Sequence, residues 1–210
     1  MNLYLVRHGQ TSYSRDNRFC GSLDPALTAS GEAMAQAFAQ AYAPVAWAGI
    51  YTSPMLRARQ TADPLTRLTH IPATVDEGLS EIAYGEWEGL RQDEVKAQWP
   101  DAFAYWAENV ASRGTPGGET AFHVAARAMR SVEAIRTRHQ DGNVLLVSHK
   151  ATLRIITCAL LGLDVRLFRD RIAQPVAAVT MFVLQNGAAQ LAMLGDRSHL
   201  SAELRNQEGT

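Results

Sequence analysis

A chain of 210 residues, 47% hydrophobic and 20% charged, can bury the core of one domain, or of one domain carrying a substantial insertion. Its formal net charge of −1 provides no field to gather nucleic acid or an anionic membrane, so an anion must be held by a few placed side chains. Lysine occurs only at Lys96 and Lys150, which leaves nearly all positive charge on guanidinium groups able to grip an oxyanion with two parallel hydrogen bonds.

Strand-like runs fall in order at Leu3–Val6, Gly49–Thr52, Ala73–Val75, Val144–Ser148, Val176–Leu184 and Gln190–Leu194. Helical runs separate most of them. Thr28 caps one in which Met34, Phe38, Ala41 and Tyr42 recur at helical spacing. Ser53-Pro54 reads as the start of a second, with Ser as N-cap and Pro at the first helical position. A long helix runs from Glu119 to His139 with Phe122, Ala126, Met129, Val132 and Ile135 or Arg136 on one side, and another starts after His149 and stops at Gly162. Between Ser80 and Gly118 the pattern loosens and carries Trp87, Trp99, Phe103, Tyr105 and Trp106.

Alternating strands and helices predict an α/β three-layer sandwich: a mostly parallel sheet with helices on both faces. The last two runs, joined by Asn186-Gly187, predict an antiparallel hairpin at one edge. The expected organisation is one domain over residues 1–210, with 80–118 as a cap-like helical insertion over the active site. Most of its aromatics are expected to pack, and one or two to meet substrate. No apolar run approaches the ~20 residues of a membrane span. The opening M-N-L-Y-L-V-R is too quickly interrupted for a signal peptide. Cys20 and Cys158 show no metal-ligand spacing. A cytoplasmic protein without membrane or nucleic-acid partners is the expectation.

Ligands of open α/β sheets bind at the carboxyl ends of strands. Arg7 and His8 end the first strand, Arg57 falls in the first turn of the helix after the second, and Glu81 follows the third. Ser148, His149 and Lys150 open the helix after V-L-L-V, whose free backbone N–H groups are expected to face an anion. Two Arg, two His and one Glu in one pocket suit phosphoryl transfer without metal. Arg7 and Arg57 hold the equatorial oxygens, His8 attacks phosphorus as a neutral imidazole, and His149 hydrogen-bonds the oxygens as they gain charge. Glu81 protonates the leaving alkoxide and then deprotonates the hydrolytic water. Gly9 lets the backbone turn beside the ligand. A metal site from His8, His149 and Glu81 competes poorly, because two arginines repel a cation and no usual ligand spacing is present.

These residues resemble the signature of the histidine phosphatase superfamily, the phosphoglycerate-mutase-like group. The resemblance runs through L-V-R-H-G-Q-T, Arg18 and Gly21, L-T-A-S-G, S-P-M-L-R-A-R-Q-T-A, G-E-W-E-G, P-G-G-E and V-S-H, in the expected order over almost the whole chain. It implies His8 as the phosphorylated nucleophile, Glu81 as proton donor, and Arg7, Arg57 and His149 as the rest of the phosphate pocket. Arg18 and Gly21 join as substrate-binding positions. Two departures stand out: Ser14 where members commonly have Asn, and Lys150 where they often have Gly. Ser14 is expected to donate one bond to phosphate, and Lys150 to meet a second anionic group.

The function expected is a cofactor-free phosphatase acting on phosphomonoesters of small metabolites, as a monomer or homodimer. The G-E-W-E-G segment and the modest length favour the phosphatase branch over a mutase using the same intermediate. A non-catalytic phospho-ligand binding module is the alternative from a different class; such modules usually lose the nucleophile or the acid, and both are present here.

Overall fold

The computed structural model describes residues 1–209. A six-stranded sheet is built from β1 (Asn2–Arg7), β2 (Trp47–Thr52), β3 (Ala73–Val75), β4 (Asn143–Ser148), β5 (Val179–Gln185) and β6 (Ala188–Asp196). Its order is β3-β2-β4-β1-β5-β6. Neighbours from β3 to β1 run parallel, while β5 and β6 are antiparallel additions at one edge. The expected sandwich and edge hairpin are therefore present. The exception is the start of the hairpin: Val176, Ala177 and Ala178 precede the strand, and Ala177 has φ +54°, incompatible with an extended ladder.

Alternation along the central strands divides the core. Leu3, Leu5, Val144 and Leu146 face α6 (Ala121–Arg138) and α7 (Lys150–Leu160). Val6, Leu145 and Val147 face α2 (Ala29–Tyr42) and α3 (Leu56–Thr69) on the other side. A one-turn helix, α1 (Ser12–Arg15), follows β1.

Two helix readings are corrected. Helix α3 starts at Leu56 with Met55 as N-cap, not at Ser53-Pro54, because the Ser53 amide extends the β2–β4 ladder to the Val147 carbonyl and its hydroxyl bonds His149 at 2.7 Å. Arg57 nevertheless stays in the first turn. The buried stripe of α6 is Ala121, Val124, Ala128, Val132 and Ile135; Phe122 is 47% exposed. Val132 and Ile135 lie on the buried face as read, with Ala121, Val124 and Ala128 completing it, while Phe122 lies on the exposed side.

Residues 80–118 carry α4 (Gln92–Gln98) and α5 (Pro100–Glu108) and share a cluster with Phe19 and α7. At its centre Trp87 is fully buried, with Trp106 at 5.2 Å and Phe103 at 5.8 Å between ring centroids. Truncating Trp87 to Ala is expected to cost about 3–5 kcal/mol of stability, measured by denaturant unfolding. A loss below about 1 kcal/mol would show that the segment does not depend on this packing.

Past α7, the chain forms α8 (Phe168–Arg171), returns through the hairpin, and ends in α9 (Ala202–Arg205).

Candidate active site

The carboxyl ends of β1 and β4 lie side by side, with Arg7 opposite Ser148 in the parallel register. The His8 amide extends the ladder by one bond to the Ser148 carbonyl, 3.0 Å. His8 is 5% exposed, and its Nδ1 lies 2.7 Å from the Gly9 carbonyl oxygen. A carbonyl only accepts, so Nδ1 carries the proton and Nε2 keeps its lone pair. Gly9 matters for a different reason from the one expected. A Cβ there would lie 2.5 Å from the Gly31 carbonyl oxygen, so the glycine allows β1 to close against α2.

Two guanidinium groups press on this imidazole. Arg7 is buried; its Nη1 donates to the carbonyls of Gln174 (2.9 Å) and Gly209 (3.3 Å), while its buried Nε has no partner. Burial pulls Arg7 down to about 9, which leaves it charged at neutral pH. Fully buried Arg57 donates from Nη1 to the Leu23 carbonyl (2.7 Å), from Nη2 to the Gly21 carbonyl (3.2 Å) and from Nε to His149 Nδ1 (3.2 Å). That contact places the His149 proton on Nε2, which donates to Ser53 Oγ. Both His149 nitrogens are thus engaged by protein, where the sequence reading aimed them at phosphate. In this arrangement His149 holds Arg57, its ring 5.2 Å from that of His8.

Burial, then the charges of Arg57 and Arg7, holds His8 well below its ordinary 6.5, and His149 is lowered by burial, Arg57 and His8. Protonation would remove the Nε2 lone pair, and these causes oppose it. The acid limb of kcat/KM attributable to His8 is therefore expected well below pH 6.5, read from a pH–rate profile with an aryl phosphate. A limb centred at 6.5 would contradict the buried, cation-flanked imidazole.

Glu81 sits against the amino end of α7. Its Oε1 accepts from the amides of Ile82 (3.0 Å) and Thr152 (3.1 Å), and its Oε2 from that of Ala151 (3.2 Å). The helix N-terminus does face an anion, as expected, but the anion is this carboxylate. Sequence reasoning missed the residues that place it. Thr152 Oγ1 lies 2.7 Å from the Ser80 carbonyl and 3.1 Å from Glu81 Oε1. Arg127 donates to the carbonyls of Gly78 (2.9 Å), Ser80 (2.8 Å) and Glu81 (3.0 Å) while pairing with Glu119 at 2.9 Å. The P-G-G-E segment carries Glu119 and was the available signal; its partner on the long helix was not.

Arg7, His8, Arg57 and Glu81 together line one open cleft of about 150 Å³. Ser14, Arg18, Gly21 and Lys150 line it as well. The Ser14 hydroxyl is turned inward, donating to the Thr11 carbonyl (3.1 Å) and accepting from the Thr11 amide (2.9 Å) as part of the α1 capping box. Its proton is spent on that turn where a bond to phosphate was expected. Arg18 donates to the Gly89 carbonyl (2.7 Å) and pairs with Glu94 (3.3 Å). Gly21 adopts φ +52°. Burial pushes Lys150 down to about 7, with Arg7 and Arg154 adding to the shift. Burial pushes the Cys20 thiol up to about 11, which suppresses the thiolate. Among the aromatics, Tyr84 and Trp106 from 80–118 reach the cleft, joined by Tyr13, Phe19 and Phe168.

The family model described as histidine phosphatase superfamily (branch 1) matches residues 3–197. Phosphoserine phosphatase 1 of Hydrogenobacter thermophilus is 32% identical over 80% of this chain and 80% of its own length. A 2,3-bisphosphoglycerate-dependent phosphoglycerate mutase of Methylobacterium radiotolerans is 35% identical over 77% and 79%. The solved structure of Bacillus stearothermophilus YhfR superposes with TM-score 0.88 at 32% identity, covering 94% of this chain and 98% of the other.

Proposed function

We propose a reaction course and substrate class for a chain that belongs to branch 1 of the histidine phosphatase superfamily. It is a phosphatase of small phosphomonoesters, and the observation that carries the mechanism is the fixed tautomer of His8. With Nδ1–H held by the Gly9 carbonyl, the Nε2 lone pair attacks phosphorus. The ester P–O bond breaks in line with the attack, and the bonding pair leaves with the alkoxide oxygen. Arg7 and Arg57 supply fixed positive charge to the phosphoryl oxygens as the transition state spreads charge over them. The partnerless Arg7 Nε–H supports that role.

Protonated Glu81 gives its proton to the alkoxide, which departs as the alcohol. Glu81 then takes a proton from water as the water oxygen attacks phosphorus and the N–P bond breaks, returning His8 neutral and releasing phosphate. Four donor contacts, three from backbone amides and one from the Thr152 hydroxyl, keep this carboxylate in one place through both steps. The Ser14 side chain serves the α1 turn, and Arg18 and Gly21 shape the cleft mouth. Residues 80–118 act as a cap on a single domain. A cytoplasmic setting, with Cys20 and Cys158 free, fits this chemistry. No helix among the described residues is long and apolar enough to cross a membrane.

A mutase is the second reading, favoured by the 35% identity to a phosphoglycerate mutase. Phosphate release from a panel of phosphorylated metabolites separates the two. Net release without a bisphosphate primer, undiminished by EDTA, is expected. Turnover that needs the primer and releases no phosphate would establish the mutase instead.

A further inference from the structure

The cleft is lined by six cationic side chains, Arg7, Arg18, Arg57, Lys150, Arg154 and Arg169, against one carboxylate, Glu81. The phosphoryl chemistry accounts for Arg7 and Arg57, and Arg18 is paired with Glu94. Lys150 is engaged in an interaction of its own, and Arg154 and Arg169 remain. Neither belongs to an ion pair or makes a side-chain hydrogen bond among the described residues, and the Arg154 Nε is buried without a partner. The Glu81 oxygens are already occupied by backbone amides and Thr152.

We infer that Arg154 and Arg169 form a second anion subsite, so that the preferred substrate carries a carboxylate or a second phosphate besides the phosphoryl group removed. The inference rests on the phosphatase reading above and sharpens its substrate class. Helix α7 begins beside His149 and runs away from the phosphoryl centre, with Lys150 in its first position. Arg154 follows one turn later, about 6 Å along the axis and on the same face. Arg169 comes from α8, and its guanidinium lies over the Trp106 ring at 4.4 Å, which fixes the plane of the fork. Two guanidinium groups held near each other repel, and an anionic group between them relieves that repulsion with bidentate hydrogen bonds. Burial lowers Arg154 and Arg169 adds to the shift, while Tyr84, Glu81 and Asp170 oppose it.

The test compares substrates that differ only in the second group. 3-Phosphoglycerate is set against glycerol 3-phosphate, and fructose 1,6-bisphosphate against fructose 6-phosphate. The wild-type enzyme should favour the doubly anionic member of at least one pair by tenfold or more in kcat/KM. The pair that shows the preference identifies carboxylate or phosphate. Arg154→Gln and Arg169→Gln, singly and together, should shrink that ratio, by tenfold or more in the double variant. Each ratio comes from one preparation, so partial loss of folded protein cancels. Absence of preference in both pairs, or a preference that survives the double variant, overturns the subsite. Failure of the wild-type enzyme to release phosphate from any of the four, or from an aryl phosphate, would instead remove the phosphatase reading and the subsite with it.

Discussion

Replacing His8 with Ala is expected to lower kcat for p-nitrophenyl phosphate by on the order of 10⁴-fold or more, because the covalent route runs through its Nε2 lone pair. His149 cannot substitute: its Nδ1 accepts from Arg57 and its Nε2 proton goes to Ser53. Cys20 cannot either, with its thiol pushed up to about 11 by burial. Phosphate binding should persist in this variant, since Arg7 and Arg57 are held by backbone carbonyls and not by His8. Isothermal titration with inorganic phosphate alongside the kinetics checks both halves. Retention of more than a tenth of the activity would place the nucleophile elsewhere.

Glu81→Gln is expected to separate the two chemical steps. General acid–base catalysis is worth roughly 10²–10⁴-fold, and the full loss should appear with alkyl phosphates, whose leaving alkoxide needs a proton. p-Nitrophenolate leaves without one, so the first step on that substrate should be nearly spared. Dephosphorylation still requires a base for water, so a burst of p-nitrophenol followed by a slow steady state should appear. The amide side chain fits the same space, and its Oε1 can keep the contacts from the Ile82 and Thr152 amides, while its NH2 meets the Ala151 amide unfavourably. Quenched-flow traces with both leaving groups read the outcome. Equal loss on both substrates with no burst would show that Glu81 positions the site and does not move protons.

Strand ends were legible because burial imposes a pattern. The run V-L-L-V of β4 is apolar on both faces, and only a strand between two helical layers requires that. Arg7, His8 and His149 could then be placed at carboxyl ends from local sequence alone. Contacts between distant segments were not legible. Ser53 looked like a helix cap because its partner, His149, lies 96 residues away. The amides of Ala151 and Thr152 looked available to phosphate because Glu81 comes from a different segment, about 70 positions earlier. Ser14 invited comparison with a phosphate donor, yet its reach is short enough that Thr11 captures it within one turn. The return of the chain at Glu208 and Gly209 to Gln10 and Arg7 left no local trace at all.

Trapping the covalent intermediate reads the identity of the nucleophile from the protein itself. Enzyme quenched in alkali during turnover, digested and examined by mass spectrometry should carry one phosphoryl group on the peptide containing His8, lost on brief acid treatment as expected for an N–P bond. Glu81→Gln should increase its yield. A phosphoryl group on another residue would contradict the account. So would the absence of any label in Glu81→Gln protein that still releases p-nitrophenol in a burst.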